Sequence, residues 1–190
     1  MEDKHHGNLK QYVNDIIGME RDIANAIEGQ LSDERLGEHP ELRQLLEEAA
    51  LQSEVRIRQF RELSEREGGT FGEAIKEGLM AVTGSLAGLY GKLREHPVSR
   101  MLRDDIVALD MAATGYGMLL TLGLSIGHTE TAALAEQGLK SCAPMVVRLT
   151  GHLPLVVASE VAKDAPLANP AAPQLACEVI RDAWRSCNQG

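Results

Sequence analysis

Glu20 stands where an apolar residue belongs. In Asp15 to Ile27, DIIGMERDIANAI, a helical turn of about 100° per residue gathers Leu9, Val13, Ile16, Ile23, Ile27 and Leu31 on one face, with Glu20 near its centre. A carboxylate aimed into a core needs a metal, a buried cation or water. The best cation is Arg56. Leu42, Leu45, Leu46, Ala49, Ile57, Phe60 and Leu63 define an apolar face further along the chain, and both Ser53 and Arg56 lie within it. A guanidinium bridges a carboxylate with two hydrogen bonds and keeps its proton, so a Glu20–Arg56 pair would supply the charge that a metal otherwise brings. Glu54 and Asp110 complete the candidate set as carboxylates less well placed for the same interior.

Other chemistry is sparse. Cys142, Cys177 and Cys187 form no Cys-x-x-Cys pair and read as reduced structural thiols. All six histidines (His5, His6, His39, His96, His128, His152) fall at or near expected helix boundaries. No Ser/His/Asp arrangement, phosphate-binding glycine loop or Cys/His metal spacing stands out, so no catalytic residue, metal ligand or cofactor is assigned.

These residues must be positioned by helices. Aromatic residues make up 3% of the chain and the dominant period is helical from Leu9 to Lys163. The spacing predicts a first helix from about Asn8 to Leu31, and a second that starts at Pro40, a favoured first position, and ends at Gly68-Gly69. Thr70 and Glu73 form a capping-box pattern for a third segment, Phe71 to Arg94, stopped by His96-Pro97. Another helix spans Val98 to Ile126 with Gly127 as its cap. The next begins near Thr129; Pro144 is expected to kink or break it, and Pro154 to restart the chain. The expected division is a helical bundle over residues 8–163, a proline-punctuated linker over 164–173 and an amphipathic helix over 174–187, docking through Leu175, Ile180 and Trp184.

Composition narrows the partners. A net charge of -9 and a pI near 5.2 argue against nucleic acid and anionic membranes, because neutralising phosphates takes clustered Lys and Arg. Met111 to Thr129 is uncharged, yet its four glycines, three threonines and lack of flanking basic anchors fit a buried central helix better than a membrane span. The first residues lack the apolar run of a secretion signal, so the cytoplasm is expected. Gly84, Gly88 and Gly91 form a small-residue stripe, and Gly123 with Gly127 a second, which suggests close backbone packing within the chain or between two copies.

Several long helices with an inward first-helix Glu suggest a ferritin-like four-helix bundle, with an additional short helix and a C-terminal helical extension. Di-iron sites in such bundles use inward Glu residues and Glu-x-x-His pairs. Here Glu2 to His5 is the only such pair. DIIGMERDIANAI, AIKEGL and TGYGMLLTLGLSIG agree in order and spacing with stretches of one family, and over roughly Asn8 to His152 the chain resembles the YciE/YciF-type ferritin-like bacterial stress proteins. The resemblance implies a ferritin-like fold, a dimer, and a carboxylate and histidine site with no firmly assigned reaction.

The departures fall on that site. The family's Glu-Glu-Thr-His-like stretch stands here as Leu51-Gln52-Ser53-Glu54. Its Val-Glu-His-Tyr-Glu segment becomes Ala108 to Ala112, and its Glu-Glu-Glu-Lys-Ala-x-Asp region becomes Lys140 to Val146. Glu20 is the inward carboxylate kept, and one carboxylate cannot hold two iron ions. The expected function is therefore a non-enzymatic, metal-free bundle protein, stress-related, acting as a homodimer or through an unidentified protein partner. The alternatives are a di-iron oxidase or peroxide-detoxifying protein with an irregular site, or a bundle that binds a small molecule in the space left by missing ligands.

Overall fold

A computed structural model describes residues 2–67, 73 and 97–186. The described residues are helical, without strands: α1 (Glu2–Leu31), a 3-10 turn (Glu34–Glu38), α2 (Pro40–Glu67), α3 (Val98–Ile126), α4 (Thr129–Asp164) and α5 (Ala172–Ser186). The third sequence segment, Phe71 to Arg94, with its Gly84, Gly88 and Gly91 stripe and the histidine at 96, lies outside the described residues.

Local chemistry accounts for the ends. α2 begins at Pro40, whose missing N–H costs nothing in a first turn. Gly127, at φ 73°, closes α3: its N–H donates to the Leu124 carbonyl and the His128 N–H to the Gly123 carbonyl, the paired pattern of a glycine-ended helix. His128 then caps α4, its Nδ1 accepting from the Thr131 N–H at 3.2 Å. From the other end of the bundle, Glu160 of α4 accepts the Ser99 N–H and hydroxyl at the start of α3.

Named contacts give each helix its direction. Gln30 donates to Asp105 and Tyr116 to Glu20, so α3 runs antiparallel to α1. Arg148 to Glu48, Gln59 to Gln137 and Arg66 to Glu130 run α2 antiparallel to α4. The path is up, down, down, up, and the connection over residues 68–96 joins opposite ends of the bundle. The core lies between the four long helices, with Leu9, Ile16, Ile23 and Ile27 of α1 facing Leu42, Leu46, Phe60 and Leu63 of α2, and Leu109, Ala112, Leu119, Cys142 and Leu149 from the other pair.

Three expectations change. α4 is continuous through Pro144 and Pro154, so neither proline breaks or restarts it. Pro144 and Lys140, whose carbonyl loses its donor, both lie on the exposed stripe, where water can replace that bond. His152 consequently sits inside a helix rather than at a boundary. α5 does pack on α4, through half-buried Ala176, Cys177 and Ile180, but Leu175 and Val179 point outward, 51% and 69% exposed.

Close approach fixes two glycines. An added carbon at Gly123 would stand 2.9 Å from the Ala132 backbone nitrogen, and one at Gly138 2.4 Å from the Tyr116 ring. Gly138→Ala is expected to cost roughly 1–3 kcal/mol, the range for overpacking a closed core. Gly29, in the last turn of α1 with open space around it, should gain up to about 0.5–1 kcal/mol as Ala. Urea unfolding of the two variants measures both, and equal stabilities would show that the Tyr116 ring is free to move.

Candidate functional site

Glu20, 1% exposed, meets Arg56, 4% exposed, across the α1–α2 interface. Arg56 Nε donates to Glu20 Oε1 at 2.6 Å and Nη2 to Oε2 at 2.9 Å, a two-pronged ion pair. The Tyr116 hydroxyl of α3 donates to the same Oε1 at 2.8 Å. Two further guanidinium donors are used: Nη2 reaches Ser53 Oγ at 3.1 Å, and Nη1 reaches Ser141 Oγ of α4 at 2.8 Å. Ser141 in turn donates to Gln52 Oε1 at 2.8 Å. All four long helices therefore supply a group to one buried polar cluster.

The electrostatics follow from burial and pairing. Burial alone disfavours the Arg56 cation, and the adjacent Glu20 more than offsets it, so Arg56 holds its proton more tightly than a free arginine. Burial, reinforced by the Glu20 charge, raises the Tyr116 phenol well above its ordinary value and keeps it a donor. The neighbouring Cys142 thiol is pushed from 9.0 to about 12, by burial first and Glu20 second. A protonated thiol is neither a nucleophile nor a metal ligand at neutral pH.

The structure unites Glu20, Arg56 and Ser53 and leaves out the other two candidates. Glu54 is exposed, one helical step round from Ser53, and Asp110 is exposed beside the buried Leu109. Tyr116 and Ser141 are cluster members that the sequence reading missed. Tyr116 carried a usable signal, because it shares a helical face with Leu109, Ala112, Leu119 and Gly123, and a phenol on such a face needs an acceptor. Ser141, half-buried between exposed Lys140 and buried Cys142, carried none.

The donor set does not fit a di-metal centre. Leu109, Ala112, Cys142 and Val146 line the interior near the cluster, all buried, and only the thiol among them could bind metal. Among the described residues, no group of three or more His, Cys, Asp or Glu comes together. What the cluster can do is hold a charge pair in a fixed geometry, shielded from water.

Over residues 4–162 the chain matches the family model described as DUF892, a domain of unknown function. No curated protein matches, and no solved structure matches.

Two outcomes test the site. Arg56→Met strands Glu20 and should destabilise the fold by roughly 3–5 kcal/mol, while Glu20→Leu with Arg56→Met should cost much less. Additive costs in that double-mutant cycle would refute the pairing. Separately, the folded Cys142 thiol ionises near 12 against an ordinary 9.0, so the unfolded chain binds fewer protons between those values. Its contribution to stability is then complete below about pH 9 and is lost as pH rises towards 12. Urea midpoints from pH 8 to 11 should fall more steeply for the parent than for Cys142→Ala; parallel profiles would exclude the effect.

Proposed function

This chain belongs to the DUF892 family, and we propose that it is a metal-free, YciE/YciF-type ferritin-like protein whose work is non-enzymatic: self-association or capture of a protein partner. The observation that carries the reading is the Arg56 guanidinium bound by both prongs to Glu20, placing a permanent protein charge where a ferritin-like bundle would hold a metal. The up, down, down, up path with one long connection supports the ferritin-like arrangement, since that is the connectivity such bundles use. A di-iron oxidase would need carboxylates where Leu109 and Ala112 stand. A stress-related role follows from the resemblance alone.

Two features bear on where the protein works. By length and composition α3 and α4 could each cross a membrane. Against that, α3 buries Asp104 and Asp105, and α4 reaches across to Glu48 through Arg148 with two bonds of 2.7 Å. Such polar groups suit a bundle in water. Exposed Val107, Met111, Met118 and Leu124 on α3 supply apolar surface for a second copy.

Native mass spectrometry of untagged protein tests both halves. The expected species is a dimer of the 20.6 kDa chain carrying no stoichiometric iron or manganese. A monomer at micromolar concentration would remove self-association, and a full di-metal complement would remove the metal-free reading.

A further inference from the structure

Beneath the C-terminal end of α5 lies a cleft of about 640 Å³, open to solvent and lined by none of the residues of the Glu20 cluster. Its size falls within the range of small-molecule sites. The floor is apolar: Val146 and Val147 of α4, with the Pro144 ring beside them. α5 supplies the roof, with Trp184 between Arg181 and Arg185. The two arginines are four residues apart, so both project from one side of the helix. Neither forms an ion pair with another described residue. Asp110 of α3 also lines the cleft, so the charged lining is two guanidiniums and one carboxylate, a local excess of one positive charge on a chain of net -9.

We propose that this cleft binds a free single-chain anionic amphiphile, with a carboxylate held by Arg181 and Arg185 and an alkyl chain laid along Val146, Val147 and Pro144 beneath Trp184. Guanidiniums suit the head because they match a carboxylate with paired hydrogen bonds. The indole suits the chain because it offers a broad apolar face at the border with water. Entry needs no movement of the roof, because the cleft is already open to solvent. α5 follows a linker with prolines at 166 and 170, and a bond of 3.3 Å from the Cys177 thiol to the Gly151 carbonyl helps tie it to α4. A free amphiphile is favoured over a bilayer, because the chain's overall negative charge opposes approach to an anionic membrane. The proposal is independent of metal content, so it stands or falls separately from the reading above.

Trp184 is the chain's single tryptophan, so emission from the full-length protein reports on this cleft. Titration with laurate below its micelle concentration is expected to shift that emission to the blue and saturate. Dodecanol, which keeps the chain and lacks the charge, should bind at least tenfold more weakly. Arg181→Gln with Arg185→Gln, both exposed positions, should weaken laurate at least tenfold with an unchanged circular dichroism spectrum, and Asp110→Asn should tighten it. No saturable response to laurate, equal binding of dodecanol, unaltered affinity in the arginine variant, weaker binding by Asp110→Asn, or a response only to anionic phospholipid vesicles would each overturn the proposal.

Discussion

Burying Glu20 is the constraint around which the bundle is arranged. Taking a carboxylate out of water costs several kcal/mol even after relaxation, and a guanidinium costs a similar amount. The pair is tolerable because four of the five guanidinium N–H groups and both carboxylate oxygens find partners. Arg56 satisfies Glu20 twice, Tyr116 adds a third bond, and Ser53 with Ser141 absorbs the donors that Glu20 cannot. Since these groups come from all four long helices, sliding any one of them by a turn would leave a buried charge or hydroxyl unmatched. Apolar packing resists such slips weakly; a directional cluster resists them strongly.

The same requirement explains the small residues around it. A tyrosine wide enough to reach Glu20 from α3 needs space on α4, and Gly138 provides it by having no side chain to meet the ring. Gly123 performs a similar service near the turn, letting α3 approach the first residues of α4 backbone to backbone. At one end of that pair the chain turns through Gly127. At the other, Glu160 ties the start of α3 to α4.

Periodicity made much of this legible. Helical spacing was enough to turn Glu20, Ser53 and Arg56 inward, and the Pro40 start and Gly127 cap could be read from residue type alone. It failed where the answer depended on a neighbour. The two prolines in α4 looked like breaks because a sequence does not say whether the freed carbonyl will face water, and the misplacement of His152 followed from that error. Glu54 and Asp110 were set near the site by proximity in sequence, yet one step of 100° separates an inward from an outward residue. Tyr116 was hidden within an apolar run, and Ser141 resembled any other half-buried serine. Two of the four helices thus entered the cluster through residues passed over in the sequence, Tyr116 despite its place on an inward face and Ser141 with no pattern to mark it.

A guanidinium in a bundle core does less than a metal would. A metal can hold an exchangeable water or oxygen and change its charge; Arg56 can do neither, because its proton stays on and its donors are directed at fixed protein atoms. The charge pair itself is closed off, with Glu20, Ser53, Tyr116 and Cys142 all within 1% of full burial and half-buried Ser141 and Gln52 at the edge of the cluster. The interior becomes a rigid core, and any recognition must move to groups that water and ligands can reach. The arginines and tryptophan of α5 are such groups: they stand over an apolar floor that the buried charge pair, by fixing α4 against α1 and α2, holds in place.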